Sequence, residues 1–324
     1  MLIDYDTTII NAILHKIPNT YICPINSDIG IYLNNLIMIG ASGVNIIPIT
    51  TEQTPIIIDQ LNKASTILES INVVMYHKYS SYNIDKLQEY IDNSKYLTIY
   101  SGAGISTPEI PDFRGTGGLY STQFEGHSPE TILSLRCLRQ NPKLFFKFTK
   151  MRLGILLNKQ PNKSHKFLYT LEKCGKLKTI ITQNIDGLHA VAGNSNILEL
   201  HGNFTFRCDS VCGQSHTISE LVDKLNSSEI PLCDCGGMIR PNTVLFDERL
   251  NDEVFEKSIL EMKKSDLVIV VGSSLTVMPA ASLLSEINKD CKLVIINNDW
   301  TPYDRKADLV IRENCGDVFD KIKL

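Results

Sequence analysis

An α/β fold on a doubly wound parallel sheet, with a smaller insert and an N-terminal extension, is what this sequence predicts. Three observations carry that expectation. From residue 84 onward, apolar strand-like runs alternate with helical segments. A glycine turn, Gly102-Ala103-Gly104, follows the first of those strands directly. Four of the nine cysteines form two close pairs roughly twenty residues apart.

The elements follow in order. Residues 1–83 form an extension with apolar runs at 31–39, 44–49, 56–61 and 71–75; that much apolar surface needs burial, so a short ordered α/β arrangement is expected. Ile84 to Ile91 has helical spacing, and Tyr96 to Tyr100 reads as a strand. Residues 105–165 read as loop and helix, with Pro142 near the start of the amphipathic run 144–157. Leu177 to Ile181 is a buried strand, and residues 203–238 hold the paired cysteines. Asp266 to Gly272, Leu293 to Asn297 and Asp308 to Ile311 read as further buried strands, with a helix expected at 280–288.

The whole-chain properties narrow the function classes. A length of 324 residues accommodates one large domain and a smaller one. A net charge of −4 supplies no basic field for nucleic acid or anionic lipid. The first ten residues hold two Asp and no Lys or Arg, and run 36–49 is too interrupted to span a bilayer. The expectation is a soluble cytoplasmic enzyme, a nuclear setting left open, without direct nucleic-acid or membrane partners. An odd number of cysteines, five of them single, does not fit a secreted disulfide framework.

The chemistry concentrates at strand ends. Glycines at 102 and 104 let backbone approach a pyrophosphate. Ile110-Pro111-Asp112-Phe113-Arg114-Gly115 then puts an acid, an aromatic and a cation on one Pro/Gly-rich loop, the mixture expected of a loop that closes over a ligand. Thr182-Gln183-Asn184-Ile185-Asp186, after strand 177–181, and Leu200-His201-Gly202 gather an amide, a carboxylate and a histidine where doubly wound sheets bind ligands.

These segments, with Gly104-Ile105-Ser106 and Gly272-Ser273-Ser274-Leu275, resemble in order the motifs of the sirtuins, NAD-dependent protein deacylases. The similarity covers residues 84–324. The resemblance implies a catalytic domain whose NAD-binding part spans 84–202 and 239–324, with a zinc-ribbon insert at 203–238. It implies that Gly102, Ala103, Gly104, Ile105, Asp112, Phe113, Arg114, Gln183, Ile185 and Asp186 bind the cofactor. Gly272, Ser273 and Ser274 would reach a ribose or phosphate of it, Asn297 would hold the adenosine ribose, and Cys315 would fall near the adenine. Asn184 would order a ribose hydroxyl or water, and His201 would be the general base, a role that suits a side chain titrating near neutrality. Cys208, Cys212, Cys233 and Cys235 resemble the structural zinc ribbon, with one gap a residue longer and the other a residue shorter than usual. Val244 and Phe246 would line the acyl-lysine tunnel, in a segment that binds an acylated-lysine protein or peptide by strand pairing.

Two departures from the family pattern stand out. Asp247 occupies a customary glycine position, and the loop from Ser106 to Ile110 is one residue short. Thr149 and Arg152 match positions that carry Tyr and Arg in members preferring acidic acyl groups. Arg152 is expected to be a solvated helix residue, with no succinyl preference. His165, His189 and His216 are expected to be structural.

The implied activity is lysine deacylation that releases nicotinamide and O-acyl-ADP-ribose, a transferase-type reaction. ADP-ribosyl transfer to protein, or NAD hydrolysis, is the rival on the same scaffold. A dehydrogenase is disfavoured because Thr107 stands where a third glycine would be and no acid ends a second strand about twenty residues on.

Overall fold

The computed structural model describes residues 20–22, 45–47, 83–107, 123–156, 159–210 and 212–324. The chain divides into two units, Met1–Tyr82 and Asn83–Leu324. In the first, the described residues form two short parallel strands, β1 (Thr20–Ile22) and β2 (Asn45–Ile47), with Tyr21 opposite Ile46. The apolar runs at 31–39, 56–61 and 71–75 lie outside the described residues.

The second unit is built on strands β3 (Leu97–Ser101), β4 (Leu177–Thr182) and β5 (Ile197–Glu199), a ribbon of β6 (Phe206–Cys208), β7 (Ser215–His216) and β8 (Ile239–Pro241), then β9 (Leu267–Val271), β10 (Lys292–Ile296) and β11 (Leu309–Ile311). Six of these form one sheet in the order β11-β10-β9-β3-β4-β5, every pair parallel. The chain winds outward from β3 to β5, returns, and winds outward again from β9 to β11. The order therefore reverses between β3 and β9, and ligands bind outside the carboxyl ends of strands at such a point.

Buried on both faces, β3 (LTIYS) and β9 (LVIVV) contain no exposed residue, which is why they read as continuous apolar runs. Alternation still divides them. Ile99, Ile180, Ile269 and Val294 face one layer, where Leu87 and Leu168 meet them; Tyr100, Ile181, Val268 and Val270 face the other, against Met262 and Leu284.

Among the described residues of this unit the helices are α1 (residues 83–93), α2 (Pro129–Ile132), α3 (Leu135–Gln140), α4 (Pro142–Leu156), α5 (Lys163–Lys173), α6 (Leu188–Ala192), α7 (Ile218–Ser227), α8 (Asp252–Lys264) and α9 (Cys315–Phe319). Helix α1 buries Ile84, Leu87 and Ile91, a single face at i, i+3 and i+7. The Asn162 side chain caps α5 by accepting from His165 N–H. In α8, Asn251 caps the start, Asp252 and Glu253 occupy the first turn, and Lys263 and Lys264 the last, each charge at the dipole end that favours it. Among the described residues, no helix is long and apolar enough to cross a membrane.

A third cluster makes the smaller layer. Helices α2 to α4 supply Ile132, Leu138, Phe145 and Phe146, α7 supplies Leu221, and the ribbon supplies Phe206 and Ile239. The helix expected at 280–288 is instead a 3-10 turn, Ala280–Ser285. Tyr303 Oη donates to Ala281 O at 3.0 Å, drawing that carbonyl away from a helical ladder, and Asn288 donates through its side chain to Lys263 O in the last turn of α8.

Candidate active site

The carboxyl ends of β3 and β9 meet backbone to backbone. Gly102 N–H donates to Val271 O at 3.0 Å and Gly104 N–H to Gly272 O at 2.8 Å. A Cβ on Gly272, whose φ is +60°, would lie 2.3 Å from Ile105 N, so only glycine permits this approach. Leu275 in the same loop also holds a left-handed backbone, at φ 54°.

One segment further along the sheet, the end of β4 builds a polar cluster. The Ser106 hydroxyl donates to Asp186 Oδ2 at 2.7 Å, and Leu188 N–H donates to Asp186 Oδ1 at 2.9 Å. Asn184 donates through Nδ2 to Ser106 Oγ at 3.2 Å and to Asp186 Oδ2 at 3.3 Å, and its N–H donates to Thr182 Oγ1 at 3.0 Å. Its amide oxygen is buried and has no hydrogen-bond partner. A buried acceptor left open costs about 1–3 kcal/mol, so this position fits a ligand hydroxyl or ordered water. Gln183 is less open: its amide donates to Tyr100 Oη at 2.7 Å and accepts from the Ser273 hydroxyl at 3.3 Å.

His201 follows β5. Its Nδ1 lies 3.0 Å from Gln183 O, and because a carbonyl only accepts, Nδ1 carries the proton and Nε2 the lone pair. Burial holds the imidazolium below its ordinary pKa, with the Gln183 carbonyl partly opposing. The ring is therefore neutral and basic at neutral pH. Gly202 (φ +69°) brings this turn against the next strand: a Cβ there would sit 2.2 Å from Asn242 O, and His201 O accepts from Val244 N–H at 2.8 Å.

The segment after β8 is pinned on both sides. Phe246 N–H donates to Leu133 O at 3.0 Å, and Leu135 N–H donates to Phe246 O at 2.9 Å. Arg240 grips Glu248 in a bidentate pair at 3.0 and 2.7 Å, and Leu245 N–H donates to Glu248 Oε2 at 3.0 Å. Between these anchors Asp247 is held at φ 66°, in the left-handed region. Replacing it with glycine is expected to stabilise the protein by about 0.5–1 kcal/mol, raising Tm by about 2 °C in thermal denaturation; a lower Tm would contradict the strain.

These pieces line one cavity of about 340 Å³: Ala103, Gln183, Asn184, Ile185, Asp186 and His201 come from the strand ends, and Val244 and Phe246 from the segment after β8. Gly272, Ser273, Ser274, Asn297 and Cys315 lie along the same carboxyl edge but outside this cavity. Asn297 N–H donates to Ile311 O at 3.1 Å, and Cys315 is buried with Sγ 3.9 Å from Gly104 O. Asp112, Phe113 and Arg114 lie outside the described residues.

Three features escaped the sequence. Ser106 stands within Gly104-Ile105-Ser106, but nothing local in the sequence shows its bond to Asp186. The Arg240–Glu248 pair had no signal, because sequence spacing does not show that residues 240–248 fold back on themselves. Arg152 corrects an expectation: it is 8% exposed, lines the cavity beside Thr149, and places its guanidinium carbon 5.2 Å from the Phe148 ring centroid, rather than standing in solvent. His165, His189 and His216 are buried. His189 Nε2 lies 2.9 Å from Ser101 Oγ, and burial, then repulsion from His165, pushes its pKa to about 3, so it is neutral.

In the ribbon, the sulfurs of Cys208, Cys212, Cys233 and Cys235 lie within 4.8 Å of one another. Separations of 3.5 Å (Cys208–Cys235), 3.8 Å (Cys212–Cys233) and 3.2 Å (Cys212–Cys235) approach the edge of about 3.8 Å that a tetrahedral zinc–thiolate shell requires. The long first gap is taken up by Ser210, whose hydroxyl turns into the cluster 3.0 Å from Cys208 Sγ and 3.2 Å from Cys235 Sγ. That hydroxyl, followed by Gly237 N–H, draws the Cys235 thiol down to about 6. The donor set fits zinc, and four thiolates leave no open position for catalysis.

Fold and site together define an enzyme of the doubly wound, dinucleotide-binding class with a four-cysteine ribbon. The model of the Sir2 family matches residues 102–279. The NAD-dependent protein deacetylase of Clostridium perfringens (strain 13 / Type A) is 41% identical over 242 residues, covering 74% of this chain and 98% of that protein. The enzyme of the same name from Staphylococcus aureus (strain MSSA476) is 40% identical, over 73% of this chain and 96% of its own length. A solved complex of Sir2 with p53 peptide and NAD+ superposes with a TM-score of 0.67 at 36% identity, covering 74% of this chain and 96% of that one. Sir2 bound to acetylated peptide gives 0.66 at 34% identity, with the same coverage. The chain belongs to the Sir2 family, as its motifs implied.

Proposed function

We infer that this chain is an NAD-dependent protein-lysine deacylase acting on acylated-lysine proteins or peptides. The observation that carries the reading is one cavity in which a neutral histidine, an open buried amide and a hydrogen-bonded carboxylate face an apolar wall. NAD, when bound, supplies the nicotinamide leaving group and the ADP-ribose that accepts the acyl group.

The chain's own residues supply the rest. We assign Asp186, held by Ser106 and Leu188 N–H, to the nicotinamide carboxamide together with the backbone at Ile105. Asn184 Oδ1 accepts from a ribose hydroxyl or an ordered water. His201 Nε2 removes a proton from a ribose hydroxyl, while Nδ1, held by Gln183 O, keeps the ring in the tautomer this requires. Val244 and Phe246 exclude water beside the acyl chain, which protects a reactive sugar from hydrolysis. Gly102 to Ile105, Gly272 to Ser274, Asn297 and Cys315 lie along the edge that an extended dinucleotide follows, and Asp112, Phe113 and Arg114 belong to the loop expected to close over it. The metal, held by Cys208, Cys212, Cys233 and Cys235, is structural. Acyl transfer to ADP-ribose makes the enzyme a transferase. A reducing compartment such as the cytoplasm suits the ribbon, since oxidation would pair the thiolates instead of leaving them to a metal.

ADP-ribosyl transfer or simple NAD hydrolysis is not favoured, because neither needs an apolar cavity beside the base. The test is nicotinamide release with and without an acetyl-lysine peptide. Release that depends on the peptide is expected; equal release in its absence would overturn the reading.

A further inference from the structure

We propose that Asp247 makes this enzyme select acyl-lysine peptides that carry a cationic side chain next to the acylated lysine. The inference rests on the deacylase reading and names the substrate class for it. Of the carboxylates lining the cavity, two are already occupied. Asp186 accepts from Ser106, Asn184 and Leu188, and Glu248 is bound by Arg240 and Leu245 N–H. Asp247 lines the same cavity, is exposed, and makes no hydrogen bond or ion pair among the described residues. The other ionisable groups lining the cavity are Arg152, which is buried against Phe148, and His201, which is neutral. Arg249, the nearest cation in sequence, is exposed but does not line the cavity.

Asp247 is also held where its backbone is unfavourable. Phe246 is fixed by Leu133 and Leu135, and Glu248 by Arg240, so the residue between them is forced to φ 66°. Glycine would take that conformation freely, and a side chain kept there against its preference points to use rather than to packing. What the side chain adds is an unpaired negative charge at the cavity mouth, beside the pinned segment Val244 to Glu248. A peptide whose acyl-lysine enters the cavity places its neighbouring residues within reach of that charge. An exposed pair of this kind is worth little, so the expected discrimination is about threefold, and it weakens as salt screens it.

The test uses the full chain and acetyl-lysine peptides that differ only by Arg, Ala or Glu at each of two positions on either side of the lysine. Peptide Kd is read by fluorescence anisotropy, and KM and kcat are read with NAD. At one or more positions the Arg peptide is expected to bind about threefold tighter than the Glu peptide. The effect should lie in KM rather than kcat and shrink at high salt. Asp247→Asn keeps the left-handed backbone, which asparagine tolerates, and should abolish the preference; Asp247→Gly should do the same with a fold free of strain. No preference in the unmodified enzyme, or an equal preference in both variants, overturns the proposal. A charge preference in Kd without NAD-dependent turnover would leave Asp247 as the selector and remove the deacylase reading instead.

Discussion

His201→Ala is expected to lower kcat for peptide deacylation by about 10³-fold, while the KM for peptide changes little. Among the described cavity-lining residues at the strand ends, the imidazole is the one group basic enough to take a proton near neutrality: Asn184 and Gln183 are amides, which accept hydrogen bonds but are not bases, and Asp186 is engaged by three donors. Its pH dependence follows from its burial. A histidine whose charged form is disfavoured loses its proton at lower pH than usual, so the basic form dominates across the neutral range. The rate should therefore be flat around neutrality and fall on the acid side, with a midpoint below the 6.5 of an ordinary histidine. A midpoint above 7, or a variant retaining most of its turnover, would show that another group is the base. Steady-state kinetics across pH on the unmodified enzyme and the variant measure both.

Removing the metal is the second large effect. Strands β6, β7 and β8 are only 3, 2 and 3 residues long, and structural zinc contributes on the order of 10 kcal/mol to domains of this kind. Cys233→Ser together with Cys235→Ser should release about one zinc per chain and unfold the ribbon. The damage should not stay there. Phe206, Cys208, Cys233 and Ile239 pack in one cluster with Leu138, Phe145 and Phe146 of the helical layer. Strand β8 runs straight into the segment bearing Val244 and Phe246. Peptide turnover should be lost with the metal, whereas dinucleotide binding at the β3–β9 edge, built from the other clusters, should survive. Metal analysis, binding measurements and thermal denaturation separate these outcomes; zinc retained by the double variant would dismiss the ribbon assignment.

Much of this was readable from the sequence because it depends on local rules. Parallel strands buried on both faces leave unbroken apolar runs, and glycines must stand where two turns meet backbone to backbone, as at Gly104 and Gly272. The convergence of Gln183, Asn184, Asp186 and His201 was likewise legible, since their motifs sit at the ends of adjacent strands. What stayed hidden depends on tertiary contacts. Helix α4 has apolar residues on more than one face, so the sequence could not show that Arg152 turns toward the cavity. The stretch 280–288 has helical composition, but Tyr303 and Lys263, distant in sequence, take its backbone and side-chain partners. Asp247 stands out in the sequence only as a residue out of pattern; its left-handed backbone follows from the anchoring of Phe246 and Glu248 on either side, which only tertiary contacts provide.

In the proposed reaction the cavity transfers the acyl group to ADP-ribose. Incubating the protein with NAD and an acetyl-lysine peptide, then identifying products by mass, tests it most directly. One nicotinamide and one O-acetyl-ADP-ribose are expected for each peptide deacetylated. Free acetate formed together with unmodified ADP-ribose, or ADP-ribose attached to the peptide, would contradict it.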